Sequence, residues 1–303
     1  MRASLIQLRV DPDESVTSRR ERAASLVRSQ AEADLVILPE LWPVGAFAFD
    51  TFATEAEAVV RPGRHDAASP GPTQEIMARA ARDAGVWLHA GSVVEAVHHP
   101  DTVSGRSAPG PTGGAEAGTG EPGSDSGGPA PGSGVELFNT SLVFSPDGQL
   151  ARTYRKIHRF GFDRGEATLL SAGSEPVTVS HPQTELGLAT CYDLRFPELF
   201  RRLTDAGATV LVVPAGWPDR RAAHWSLLAR ARAVENQTYV LACGTAGEHA
   251  GVPQAGRSVI VDPWGETLAE AAGNDEEVVT AELDLGLVAS VRESFPVLRD
   301  RVL

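Results

Sequence analysis

The run Leu186-Gly187-Leu188-Ala189-Thr190-Cys191-Tyr192-Asp193-Leu194-Arg195-Phe196-Pro197-Glu198-Leu199 decides the fold class. Leu186–Thr190 is a short apolar stretch suited to a buried strand, and Pro197 stands where the first turn of a helix tolerates it, so a helix is expected over Phe196–Asp205. Ala208–Val213 reads as the next strand. A helix near 220–236 and a strand over Thr238–Cys243 repeat the unit. Strand–helix–strand alternation of this kind identifies an α/β architecture.

The pattern continues toward the N-terminus. Residues 3–10 read as a strand. From Val16 to Ala33 the apolar positions Val16, Ala23, Leu26 and Val27 recur at helical spacing among Arg and Glu, which predicts a solvated helix. Leu35-Val36-Ile37-Leu38 is a buried strand stopped by Pro39. A helix near 73–84 closed by Gly85 leads to a strand at 86–94. Toward the C-terminus, strands at 257–262, 266–269 and 277–283 have an antiparallel look, with Asp262-Pro263-Trp264-Gly265 supplying a turn.

Residues 101–134 interrupt this pattern. They are mostly Gly, Pro, Ser, Thr and acidic residues, which bury too little apolar surface to offset the entropy of ordering, so the stretch reads as a disordered insertion. The strand ending near Val97 and the strand Val135–Phe144 flank it, and Asp147-Gly148 turns the chain back into Gln149–Tyr154. The insertion is therefore expected at a hairpin tip.

With 303 residues, 42% of them hydrophobic, the chain can bury a large core. Its net charge of -13 argues against a nucleic-acid partner, which would select a basic face. No apolar run approaches the roughly twenty residues of a membrane span, and the N-terminus turns polar too soon for a signal peptide. Two cysteines cannot build a disulfide framework, so a reducing, cytoplasmic location is expected.

Three strand ends deliver groups that together suffice for acyl chemistry. Cys191 stands where a strand gives way to helix, a place near backbone N–H groups that favour thiolate or oxyanion charge. Glu40 follows Leu35–Pro39 directly. Lys156, in Tyr154-Arg155-Lys156-Ile157-His158, leaves another strand. A carboxylate can take a thiol proton and an ammonium can stabilise charge growing on a carbonyl oxygen. Each residue also has a plainer account: a buried structural cysteine, a solvated strand-end carboxylate, a surface lysine. Cys243, in mid-strand, fits the structural account better than Cys191 does. His158 and His224 are the rival bases, since Cys–His pairs are common, but neither shows an orienting carboxylate at a second strand end. His98-His99 beside the insertion reads as solvated, and no clustered ligands suggest a metal.

Leu38-Pro39-Glu40-Leu41-Trp42, Tyr154-Arg155-Lys156-Ile157-His158 and Cys191-Tyr192-Asp193-Leu194-Arg195-Phe196-Pro197-Glu198-Leu199, in that order, resemble the nitrilase superfamily, and within it the amidase branch of ω-amidase and Nit-type proteins. Asn139-Thr140-Ser141, the stretch Ala229–Gln237 and Asp262–Gly265 add to the likeness. It covers the chain apart from 101–134, which implies one carbon–nitrogen hydrolase domain over 1–303 carrying that insertion. The resemblance implies a four-layer α-β-β-α sandwich, a homodimer or higher homo-oligomer, and no cofactor or metal. It implies Glu40 as general base, Lys156 as oxyanion stabiliser, Cys191 as nucleophile, and Glu166 as the family's second glutamate.

The implied reaction is hydrolysis of a small linear amide to a carboxylic acid and ammonia through a thioester. Cys191-Tyr192-Asp193 is closer to amidases than to nitrilases, where Trp-Glu commonly follows the cysteine. Tyr192, Arg195, Trp217 and Arg221 are the expected pocket residues, a guanidinium suiting a substrate carboxylate. An N-carbamoyl substrate is the enzymatic alternative, and a non-catalytic binding or scaffold protein on the same fold is the alternative from another class.

Overall fold

A computed structural model describes residues 1–63, 69–99, 134–161 and 165–302. Its first half contains β1 (Arg2–Gln7), β2 (Arg9–Val10), α1 (Val16–Arg28), β3 (Leu35–Ile37), α2 (Pro72–Ala84), β4 (Trp87–His98), β5 (Val135–Phe144) and β6 (Leu150–Arg155). Next come the single turn α3 (Glu166–Leu169), then β7 (Val177–His181), β8 (Thr184–Leu188), α4 (Pro197–Asp205), β9 (Val210–Ala215), α5 (Ala222–Asn236) and β10 (Tyr239–Gly244). The chain finishes with β11 (Ala246–His249), β12 (Val252–Pro253), β13 (Val259–Val261), β14 (Thr267–Glu270), β15 (Glu277–Glu282) and α6 (Gly286–Ser294).

Two six-stranded sheets, ordered β15-β1-β3-β4-β5-β6 and β14-β13-β10-β9-β8-β7, lie face to face. The two-residue period of a strand explains how each sheet serves two layers. In β1 and β3, Leu5, Leu35 and Ile37 point inward to meet Leu188, Val210, Val212 and Leu241 of the opposite sheet. Their neighbours Ile6, Val36 and Leu38 point outward onto Ala23, Val27, Met77 and Ala81 of α1 and α2. On the second sheet Leu211 and Val213 likewise face outward, against Phe200, Leu203, Trp225 and Ala229 of α4 and α5. The result is the expected α-β-β-α sandwich.

Several boundaries move. α1 stops at Arg28, where the Ser29 hydroxyl bonds back to the Leu26 carbonyl and breaks the helix. The three C-terminal strands divide: β13 and β14 form a hairpin in the second sheet, whereas β15 pairs antiparallel with β1 in the first. α3, β7, β11, β12 and α6 are additional to the sequence expectations. β4 and β5 pair out to His98 opposite Val135, as expected for the flanks of a hairpin. The expected insertion itself, apart from Gly134, lies outside the described residues. Among those residues no helix is long and apolar enough to cross a membrane.

Candidate active site

Glu40 leaves the first sheet just past β3. Its neighbour Leu41 has a φ of 43°, and the loop is clasped by an irregularity in β4 between His89 and Ser92. The Trp42 indole N–H donates to the Ala90 carbonyl at 2.9 Å, and the Leu41 N–H donates to the Ser92 hydroxyl at 3.0 Å. Gly91, with a φ of 67°, is required here, because a Cβ would sit 1.9 Å from the Pro39 carbonyl oxygen. Lys156 follows β6, and its N–H donates to the Asn139 carbonyl at 2.9 Å. Cys191, three residues beyond β8, has a φ of 47°. A non-glycine residue there costs of order 1 kcal/mol, and such strain gathers at functional sites.

Between Cys191 and the helix expected over Phe196–Asp205, which is α4, the chain makes a 3₁₀ turn, Cys191–Arg195. Asp193 caps the start of this turn, its side chain accepting from the Thr190 N–H, and Pro197, which has no N–H and holds Phe196 extended, ends it.

The structure brings Glu40, Lys156, Glu166 and Cys191 together around one pocket. The Lys156 ammonium donates to Glu40 Oε1 and to Glu166 Oε2, each at 2.7 Å, and all three side chains are buried. Asn139 Nδ2 donates to Glu40 Oε1 at 2.9 Å and to Glu166 Oε1 at 2.8 Å, so one amide spans both carboxylates. Glu40 Oε2 accepts from the Gly216 N–H at 2.9 Å, and Glu166 Oε2 from the Phe160 N–H at 2.9 Å. The Cys191 sulfur lies 3.7 Å from the Gly216 carbonyl oxygen. Gly216 must lack a side chain, because a Cβ would meet that of Ala46 at 2.4 Å.

One lysine between two glutamates makes the floor of the pocket negative before any thiolate forms. Burial and the neighbouring Glu40 charge push the Cys191 thiol well above its ordinary range, with Lys156 opposing them. Burial by itself would lower Lys156, but the charges of Glu166 and Glu40 hold it well above its usual value. Burial and Glu40 raise Glu166 despite the pull of Lys156. The site thus rests with a protonated thiol beside a carboxylate, and it can move a proton as one coupled group. Among the described residues no set of three His, Cys, Asp or Glu side chains is arranged to hold a metal ion. Between the two carboxylates the ammonium already fills a cation's place.

Above this floor lies a pocket that opens to solvent. Tyr192, Arg195, Trp217 and Arg221 all line it. The Arg195 guanidinium lies 4.8 Å from the centre of the Trp217 ring, and that of Arg221 lies 5.0 Å from the centre of Phe160. Neither forms an ion pair among the described residues. The Trp217 indole N–H donates to the Arg221 carbonyl at 2.8 Å, which leaves that ring as a wall.

Phe47, Phe49, Phe160, Asn139 and the Gly216 N–H were not picked out from the sequence as parts of the site. For the aromatics, the available signal was the run Gly45-Ala46-Phe47-Ala48-Phe49 soon after Glu40. His158 departs from expectation: it does have an orienting carboxylate, with Nδ1 2.7 Å from Asp193 Oδ1. The ring stacks on Phe196 and lies outside the pocket lining, as does His224, whose Nδ1 is 3.3 Å from Arg195 Nη2. Cys243 lies in mid-strand between the sheets, its sulfur 3.4 Å from the carbonyl oxygens of Ile6 and Ile37.

Known proteins share the sequence and the fold. The carbon-nitrogen hydrolase family model matches residues 2–293. A 2-oxoglutaramate amidase of Paenarthrobacter nicotinovorans is 37% identical over 98% of this chain and 87% of its own length. An omega-amidase NIT2 of Xenopus tropicalis is 33% identical over 99% of this chain and 94% of its own. The crystal structure of Saccharomyces cerevisiae Nit3, of branch 10 of the nitrilase superfamily, superposes with a TM-score of 0.79 at 27% identity, covering 100% of this chain and 97% of that one. A buried Glu–Lys–Glu cluster beside a thiol, set at the strand ends of a four-layer sandwich, and these likenesses lead to one conclusion: the chain belongs to the carbon-nitrogen hydrolase family of the nitrilase superfamily and is an amidase acting on C–N bonds.

Proposed function

We propose that the chain hydrolyses the ω-amide of a small dicarboxylic or 2-oxo dicarboxylic acid to the free acid and ammonia, with Cys191 as nucleophile. One observation carries this reading: the pocket has a thiol beside a buried Glu–Lys–Glu cluster at its floor and two guanidinium groups, Arg195 and Arg221, without carboxylate partners among the described residues around it. A substrate with an amide at one end and a carboxylate at the other matches both ends. Relatives named as acting on such ω-amides support the same substrate class.

The proposed steps use the groups at the floor of the pocket. As the Cys191 sulfur attacks the amide carbon, its proton passes to Glu40 and the carbonyl oxygen gains charge beside the Lys156 ammonium and the Tyr192 N–H. Glu40 then protonates the leaving nitrogen, the C–N bond breaks, and ammonia departs from a thioester. Water attacks the thioester, giving a proton to Glu40, and the C–S bond breaks as that proton returns to sulfur. Glu166 holds the other side of Lys156 and keeps the ammonium aimed.

The reading is tested by ammonia release from 2-oxoglutaramate, a neutral aliphatic amide of similar length and an N-carbamoyl amino acid. Preference for the carboxylate-bearing ω-amide is expected. Faster release from the carbamoyl compound would replace this substrate class, and no release from any member with intact fold would return the chain to a binding role.

A further inference from the structure

Asp193 stands two residues after Cys191 and is wholly buried. Its oxygens accept four hydrogen bonds: Oδ2 from the Tyr154 hydroxyl at 2.7 Å and the Thr190 N–H at 2.8 Å, Oδ1 from the His158 N–H at 2.9 Å and its ring Nδ1 at 2.7 Å. Thr190 immediately precedes Cys191, and Tyr154 and His158 stand two residues either side of Lys156. The same tie is reinforced nearby. The Ile157 N–H donates to the Tyr154 hydroxyl at 3.3 Å, and the His158 ring stacks on Phe196 with centroids 3.8 Å apart.

The nucleophile and the ammonium come from different sheets, Cys191 beyond β8 and Lys156 beyond β6. Sliding of one sheet on the other would change the reach between them, and the left-handed backbone at Cys191 would relax if its turn opened. Four converging donors call for an acceptor-only group with lone pairs to match, which an ionised carboxylate provides and an amide does not. We infer that Asp193 is a positioning residue that clamps the Cys191 turn to the strand exit carrying Lys156, with Tyr154 and His158 as its donors, and so sets the alignment of sulfur and ammonium for attack.

This inference rests on Cys191 being the nucleophile. The test measures steady-state ammonia release and the pH profile of Cys191 alkylation by iodoacetamide in wild type, Asp193→Asn, Tyr154→Phe and the double variant. Misplacement of about 1 Å costs on the order of 100-fold in rate. Asp193→Asn should therefore lower kcat about 100-fold with KM within threefold, and Tyr154→Phe should lower it about tenfold. Because both act through one clamp, the double variant should be no worse than Asp193→Asn, whereas independent losses would multiply. Tyr154→Phe leaves the Asp193 charge in place, so its alkylation profile should move to higher pH as Lys156 draws away from the sulfur. If Asp193→Asn does not fold, that profile decides the matter. Unchanged kcat in Asp193→Asn, multiplying losses, or an unmoved profile in Tyr154→Phe would overturn the clamp. A wild-type enzyme whose turnover survives complete alkylation of Cys191 would instead overturn the nucleophile assignment beneath it.

Discussion

The floor and the rim of one pocket are built by different physics. The floor is a set of charged groups at strand exits, each buried and each tied to a partner within about 3 Å: Lys156 to two carboxylates, those carboxylates to Asn139 and to backbone N–H groups. The rim is aromatic and guanidinium side chains on loops and turns, such as Phe47, Phe49 and Arg221, held by ring contacts and by the backbone beneath them. A buried charge stripped of its partner is costly, so the floor has one arrangement. Edge-to-face rings and a half-buried arginine carry no such penalty for shifting. On the proposed function, the floor fixes the chemistry and the rim selects what reaches it.

If that division holds, the largest loss follows from Cys191→Ala, which should lower kcat by about four orders of magnitude or more while leaving the circular dichroism spectrum and Tm near wild type. Cys243→Ala should remain active, since that sulfur packs between the sheets away from the pocket. Activity in the first variant and its loss in the second would remove Cys191 from the floor. The next effect belongs to Glu166→Gln, which keeps shape but ends the charge that aims Lys156; kcat should fall by about 100-fold or more with folding retained. Wild-type kinetics there would make Glu166 a bystander.

A rim substitution should behave otherwise. Arg221→Met removes a charge-assisted contact worth about 1.5–3 kcal/mol, so KM for an ω-amide carrying a carboxylate should rise about 10- to 100-fold. kcat should hold, and a neutral amide of equal length should be handled as before. A fall in kcat with both substrates would show that rim and floor are not separable.

The same division explains what was legible in the sequence. Glu40, Lys156 and Cys191 are legible because each stands within three residues of a strand's end, and an ionisable or nucleophilic group there stands out locally. Glu166 opens a single helical turn that periodicity cannot reveal, so it rested on family resemblance alone. Asn139 is one polar residue within β5, and nothing in its neighbours says that its amide spans two carboxylates. Phe47, Phe160 and the Gly216 N–H meet only because loops distant in sequence fold back on one another. The β7, β11 and β12 strands were missed because short pieces beside Pro and Gly lack a readable period. Cys191 opens a 3₁₀ turn and not an α-helix because Pro197 has no N–H to continue one and holds Phe196 extended.

One rim anchor makes the contrast sensitive to pH. His249, from β11, accepts the Ala46 N–H on Nδ1 at 2.9 Å and so holds the loop carrying Phe47 and Phe49. Burial, with Arg19 nearby, pushes its pKa down from 6.5 to about 3, so in the closed loop the ring stays neutral. Once the loop opens or the chain unfolds, the ring regains its ordinary affinity for a proton. The sign follows: stability from the neutral ring is complete above pH 6.5 and is lost progressively as pH falls toward 3, at about 1.4 kcal/mol per pH unit. At pH 5.5 the loss amounts to about 1 kcal/mol, a shift of a few degrees in Tm for a domain of this size. His249→Asn keeps an acceptor near the Nδ1 position and cannot take up that proton. Its Tm should decline less steeply between pH 6.5 and 4.5 than that of the wild type, and KM, a rim property, should lose its rise at low pH while kcat at the floor keeps its own profile. Parallel Tm curves for the two proteins would show that the Ala46 loop is held by something other than the neutral imidazole.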